Sequence, residues 1–222
     1  MQYEFDWSVV WRYRETLLDG LLLTILLSLA GLVGALALGL LGGAAATSRG
    51  RAVRGAALLY VELARNVPLL VHIYFWYLAL SFLKLPAFLC GVLALAVYSG
   101  AYVAEIVRAG IQSVPSGQRA AALALGLTPA AALRHVVYPQ ALRITAPSLA
   151  GIFSQLVKDS SLASVISVAE LTFAAGVIEG DTFRTFEAYI SITVLYLIVV
   201  TAVTRAALLV FGRRGAEVDR RF

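Results

Sequence analysis

GQRAAALALGLTPAAALRHVVYPQ, residues 117–140, decides how this chain is read. Two short helices follow from its local chemistry. The first runs from about Gly117 to Leu125 and ends at Gly126, a residue able to take the left-handed conformation that closes a helix. The second starts from Thr128 as N-cap with Pro129 at its first position, and Pro139 is expected to stop it. A chain that only crosses a bilayer has no packing reason to place a helix-Gly-helix elbow between two spans. Such an elbow is a shape that a second, soluble protein can grip and push.

The surroundings of the elbow are apolar. Of 222 residues 60% are hydrophobic and 14% charged, against about 25% charged in a soluble domain, and the mean hydropathy is +0.85. The composition implies an all-helical integral membrane protein of one domain. Charge-free intervals place about five spans: within residues 20–48, near 58–82, at about 86–107, from Pro147 toward Leu162–Ile166, and at about 188–210. The fourth is interrupted by Lys158 and Asp159. Gly31, Gly34 and Gly39 in the first span serve close helix packing or are ordinary membrane-helix glycines. Cys90 stands alone, so no disulfide framework exists. The acidic, aromatic opening MQYEFDWSVVWRYRE does not have the form of a cleavable leader.

Loop charges orient the spans. Arg49, Arg51 and Arg54 follow the first span, Arg108, Arg119, Arg134 and Arg143 lie between the third and fourth, and Arg213, Arg214, Arg220 and Arg221 mark the tail. The opposite side is acidic, with Glu4, Asp6, Glu15 and Asp19 near the start and Glu170, Glu179, Asp181 and Glu187 in residues 170–187. Arginine excess marks the cytoplasmic face. The expectation is an N-terminus outside, a C-terminus in the cytoplasm and a cytoplasmic elbow. The net charge of +5 is spent in these loops and calls for no nucleic acid.

Four stretches in order carry a family resemblance. Ala120-Ala121-Ala122, Gly126 and Tyr138-Pro139-Gln140 stand where one family's cytoplasmic loop has Glu-Ala-Ala, a glycine and Leu-Pro-Gln. Glu62–Leu70 resembles that family's entry to the second span, Tyr98–Arg108 its exit from the third, and Lys158–Ile166 its fourth. The chain therefore resembles, over roughly residues 17–210, a permease subunit of the ATP-binding cassette importers for polar amino acids, with the type I importer fold. Two positions depart from the pattern: Ala120 replaces the usual Glu, and Tyr138 the usual Leu.

The resemblance implies a division into an extracytoplasmic segment 1–16, a transmembrane permease domain 17–211 and a cytoplasmic basic tail 212–222. It implies a multi-pass protein of a prokaryotic inner membrane that brings a polar or charged amino acid into the cytoplasm. Two ATPase subunits would dock on the elbow through Ala120, Ala121, Gly126, Pro139 and Gln140. A like or sister permease would pair with the chain, and an extracytoplasmic solute-binding protein would deliver substrate, near the acidic segment 170–187. ATP and Mg would sit on the partner ATPases, with no cofactor in this chain. A sister permease would be one source of the missing Glu; alternatively the elbow shape suffices without it. An amphipathic hairpin lying on the bilayer is the plain alternative for the elbow, and the small residues Ala120–Ala124 give it little bulk for anchoring.

Intramembrane ionisable groups are costly and so are candidates for function. Lys158 and Asp159, followed by Ser160 and Ser161, are the first candidates for the substrate path, the alternative being a snorkelling Lys158 and a helix-capping Asp159. Tyr98, Ser99 and Tyr102 form the second polar patch, with packing hydrogen bonds as the alternative. Glu62 with Arg65, and Glu105 with Arg108, have the spacing of helix-surface ion pairs. His72 and His135 have no second ligand at metal spacing, so no metal site is expected. No phosphate-cradling Gly-rich loop ending in Lys-Ser or Lys-Thr and no Gly-x-Ser-x-Gly motif occurs, which argues against an ATPase or a hydrolase in this chain. A self-sufficient secondary transporter or channel for a small polar solute is the other class to weigh. It would show matched repeats or a selectivity ring, and neither is visible in the sequence.

Overall fold

The computed structural model describes residues 3–215, with side chains described as far as residue 207. The end of the basic tail, including Arg220 and Arg221, lies outside the described residues. Among the described residues there are ten α-helices: α1 (Ser8–Arg12), α2 (Arg14–Ala46), α3 (Arg51–Asn66), α4 (Leu69–Ala79), α5 (Ala87–Ser113), α6 (Ser116–Ala124), α7 (Pro129–Ala132), α8 (Tyr138–Asp159), α9 (Leu171–Thr182) and α10 (Thr185–Gly215). A π turn, Leu133–Val137, joins α7 to α8, and 3-10 segments occupy Ser81–Leu83 and Ser160–Ile166. No strand occurs among the described residues.

Among the described residues three helices, α2, α5 and α10, are long and apolar enough to cross a membrane singly, and two bent pairs, Arg51–Asn66 with Leu69–Ala79 and Pro129–Ile166 with Leu171–Thr182, pass jointly, for up to 5 spans. The expected second span is one of these pairs. It breaks at Val67–Pro68, where both residues are extended, Val67 at φ −102 and ψ 131. A proline pushes the residue before it out of the helical region, which ends α3. The fourth span also departs from expectation. Pro139 does not stop the chain's helical course but falls in the first turn of α8, and Pro147 lies inside α8 and not ahead of it. The π turn just ahead of Pro139 widens the backbone where the proline ring would meet the preceding turn.

The chain divides into two compact units. The first holds residues up to Gly34, Pro68–Ala96 and Ser154–Val203; the second holds Ala35–Val67, Val97–Phe153 and the chain from Thr204 on. In the first unit Val9, Leu17, Leu171, Ala175, Ile178, Ala188 and Ile192 form an apolar core. Residues 170–187, expected as an acidic surface segment, are largely α9. Glu170 and Glu187 are both wholly buried. Glu187 accepts hydrogen bonds from the Tyr3 hydroxyl and, at 2.7 Å, the Asp6 amide, so the N-terminal segment is tied to α10. Two of the four acids in this stretch are thus internal fastenings. The Tyr3 hydroxyl, bonded to Glu187, has its pKa raised by that bond and by burial.

Small residues set how closely α2 and α5 approach in each unit. In the first, a Cβ on Gly34 would lie 2.6 Å from Ala96 Cβ; in the second, a Cβ on Gly39 would lie 2.3 Å from Val103 Cγ1. Both are closer than a Cβ contact allows, so glycine at these two places is a packing requirement.

Candidate functional site

The elbow belongs to the second unit and has the local form read from its sequence. α6 ends in hydrogen bonds from Gly126 N to Leu123 O (3.0 Å) and from Leu127 N to Ala122 O (3.1 Å), with Gly126 at φ +85. The Thr128 hydroxyl accepts from Ala131 N at 3.2 Å and caps α7, and Pro129 fills its first position. A buried cluster of Val114, Val137 and Ala141, with Ile111 and Leu133 against it, seats the elbow's ends on α5 and α8. Ala122 and Ala132 point into the fold. Ala120, Ala121, Gly126 and Pro139 are exposed, and nothing lies within 4 Å of a Cβ built on Gly126. Leu125 is 85% exposed, an apolar side chain at the tip that the reading of a small-residue face did not single out.

Gln140 turns inward to its own helix, its Nε2 donating to Val136 O at 2.9 Å. Tyr138 donates its hydroxyl to Leu40 O of α2 at 2.6 Å. The residue that departs from the family pattern thus adds a bond between the elbow's exit and a long apolar helix.

Lys158, Asp159, Ser160 and Ser161 lie in the first unit, at the end of α8. The α-helical geometry ends at the charges, at Asp159. The helix tightens into 3-10 geometry over Ser160–Ile166 and stops at Ser167, φ 64. Asp159 caps nothing with its side chain and accepts from Gln155 Nε2 at 2.7 Å. The Ser160 and Ser161 hydroxyls donate back to Val157 O and Lys158 O at 2.8 and 2.7 Å, which leaves them acceptors for any further contact. Lys158 is exposed.

Tyr98, Ser99 and Tyr102 fall in the second unit, on α5. The two tyrosine hydroxyls meet at 3.3 Å and Ser99 is buried. Tyr102 also faces α3: the Arg65 guanidinium lies over its ring, 5.0 Å from the centroid. Glu105 and Arg108 form the expected pair, Nε to Oε2 at 3.0 Å and Nη2 to Oε1 at 2.5 Å. Glu62 and Arg65 do not, since among the described residues no ion pair joins them; the arginine is taken up by the tyrosine ring instead. Glu62, Arg65, Tyr102, Glu105 and Arg108, but not Tyr98 or Ser99, line a polar cavity of about 360 Å³ between α3 and α5. Sequence reading treated the two i, i+3 pairs separately; the amphipathic α3, with Glu62 and Arg65 a turn apart, was the available signal that they share a face.

Comparison with known proteins agrees with this architecture. The family described as "Binding-protein-dependent transport system inner membrane component" matches residues 35–215. The glutamine transport system permease protein GlnP of Escherichia coli is 38% identical over 200 residues, covering 88% of this chain and 91% of the relative. The glutamate/aspartate import permease protein GltJ of Escherichia coli is 32% identical, covering 90% of each. A solved structure described as an amino acid ABC transporter with histidines superposes with a TM-score of 0.85 at 36% identity, over 95% of this chain and 100% of that one. The chain belongs to the binding-protein-dependent transport system inner membrane components, as a membrane-spanning permease subunit, not an enzyme, related to those of amino acid ABC importers.

Proposed function

We propose that the chain is the transmembrane permease of an ATP-driven importer that moves a polar or charged amino acid into the cytoplasm. Separate ATPase subunits, two per transporter, dock on residues 117–140 and supply the energy; ATP and Mg stay with them. A like or sister permease completes the membrane part, and an extracytoplasmic binding protein delivers the substrate. The N-terminus is outside and the C-terminus cytoplasmic, which puts the arginine-rich loops and the elbow on one side.

The observation that carries this reading is the elbow's exposure: two helices close on a glycine at φ +85 with open space around it, while both ends are seated in the fold. Ala120 and Ala121 allow a partner's surface close approach, and Leu125 gives it an apolar knob to enclose. Closure of the ATPases on ATP then moves the elbows as rigid bodies and shifts the spans between inward-open and outward-open states, a two-state element biased by a ligand. The substrate class rests on the names of the relatives, which concern glutamine and glutamate/aspartate. The substrate path takes in Lys158 and Asp159 with the Ser160 and Ser161 acceptors, and Tyr98, Ser99 and Tyr102.

The test is co-purification of the tagged, detergent-solubilised chain from its native membrane, with and without Gly126→Asp. The expected result is an ATPase that accompanies the native chain and is lost with the variant, while membrane insertion is unchanged. A second permease in the same sample, or its absence, decides between unlike and like pairing. A chain that purifies alone in both forms overturns docking and favours a self-sufficient transporter.

A further inference from the structure

α3 and α5 each present a carboxylate and a guanidinium three residues apart, and the fold sets both pairs on the cavity of about 360 Å³. The two pairs are in different states. Glu105 and Arg108 close on each other through two hydrogen bonds, and Arg108 also donates to Gln112 Oε1 at 2.9 Å. Arg65 lies over the Tyr102 ring, and Glu62 beside it is exposed. Among the described residues neither Glu62 nor Arg65 is in an ion pair. Asn66, exposed next to Arg65, adds an amide donor and acceptor to the same wall.

Glu62 and Arg65 are opposite in sign, outside any ion pair among the described residues and exposed toward the cavity, with Arg65 over the Tyr102 ring and within electrostatic reach of Glu105, so their charges remain open to a polar ligand. Their chemistry selects what that is. A simple anion would suit Arg65 but face Glu62, and a simple cation would suit Glu62 but face Arg65. A ligand with one charge of each sign on neighbouring atoms satisfies both, since residues at this spacing lie about 5–6 Å apart on a helix surface. The cavity also falls within the size range of small-molecule sites, roughly 300–1,000 Å³.

We propose that this cavity is a binding station for the head group of a free amino acid, its carboxylate held by Arg65 and Asn66 and its ammonium by Glu62. The closed Glu105–Arg108 pair forms the opposite wall, and the Tyr102 ring lies under the Arg65 guanidinium. Only the atoms common to every amino acid are gripped, so this station reads the class of substrate and leaves the side chain to other contacts. The assignment rests on the importer reading above.

The test uses the permease assembled with its ATPase partners in lipid nanodiscs, without binding protein, and radiolabelled glutamine as probe. Equilibrium binding is measured in the discs, and uptake in proteoliposomes that carry the same assembly with its binding protein, for the wild type, Arg65→Gln, Glu62→Gln and, as a control remote from the cavity, Glu15→Gln. Each cavity variant is expected to weaken binding about tenfold or more, the scale of a lost charge-assisted hydrogen bond. Glutamine amide, which lacks the carboxylate, competes poorly with glutamine on the wild type and equally well on Arg65→Gln. Arg65→Lys, which keeps the charge, retains the preference; if Arg65→Gln fails to assemble, Asn66→Ala takes its place and is expected to weaken the preference for the carboxylate. Wild-type affinity in both cavity variants, or a carboxylate preference that survives Arg65→Gln, overturns the station while import stands. An ethanolamine lipid head carries the same two charges. If glutamine binding appears only when phosphatidylcholine replaces phosphatidylethanolamine in the discs, lipid is the occupant and the assignment fails. A wild type that neither binds nor imports any amino acid sinks the importer reading and this station together.

Discussion

At Gly126 and at Ser167 a helix ends in the same way and the chain turns into another. Each corner places its residue in the left-handed region, φ +85 and φ 64. Each closes with a bond from the next amide to a carbonyl five residues back, Leu127 N to Ala122 O and Val168 N to Ala163 O. Each then caps the following helix with a side chain, Thr128 or Glu170. Their surroundings differ. Gly126 has open space around it, whereas Val168, Glu170 and Leu171 are all buried. The Glu170 carboxylate accepts from Thr172 N and Phe173 N at 3.0 Å and from the Tyr196 hydroxyl at 2.5 Å, and Thr24 Oγ1 takes Leu171 N at 3.1 Å. The first amides of α9 are met wholly inside the first unit. A corner with the same backbone is a fixed joint when its cap is buried among partners and a handle when its cap faces out.

Cap removal separates the two most strongly. Glu170→Ala leaves several buried donors unmet at about 1–3 kcal/mol each, so thermal unfolding in detergent should begin many degrees lower. Thr128→Ala costs about 1 kcal/mol and should leave the melting curve nearly in place. Equal shifts in the two would erase the distinction. Exchanging the corner residues sharpens it. Gly126→Ser adds left-handed strain of about 1–2 kcal/mol, expected as a loss of ATPase co-purification with little change in folding. Ser167→Gly relieves that strain and is expected to be neutral or slightly stabilising by the same melting assay. Tyr138→Phe removes the bond to Leu40 O, about 1 kcal/mol; the expected signature is faster amide exchange across the π turn with α6 unaffected. The smallest effect is at the N-terminus. Hydrogen bonds from the Ser8 hydroxyl and amide hold the Asp6 carboxylate below its ordinary value. A lowered carboxylate contributes stability that is complete above the ordinary value and lost as pH falls through the folded one. Trp7 and Trp11 fluorescence should therefore change only in that acid range, and Asp6→Asn should abolish the change.

The elbow was legible because glycine, Thr-Pro and a run of alanines each have one strong local meaning. The corner with the buried Glu170 cap was not. Serine is an uncommon left-handed residue, and Glu170 and Glu187 read as surface acids because their partners, Thr24, Tyr196 and Tyr3, are distant in sequence. Prolines misled in both directions. Pro68 ended a helix inside an apolar run expected to be continuous, and Pro139 and Pro147 were absorbed within α8. At Pro139 a π turn widens the backbone just ahead of the ring, whereas Pro147 sits within the α-helical run itself. The cavity charges were visible as two ordinary pairs; that one pair stays open emerged only from the Arg65–Tyr102 contact.

The π turn at Leu133–Val137 holds one more residue than an α turn in the same place. It makes the phase between the elbow and α8 adjustable in whole residues. A deletion within α8 itself would rotate every following side chain by about 100° about the helix axis. One residue removed from within 133–137 would shorten the wide turn to an ordinary one and leave both flanking faces in register, so this is the length of chain that can give up a residue between the elbow and its membrane helix without turning one against the other.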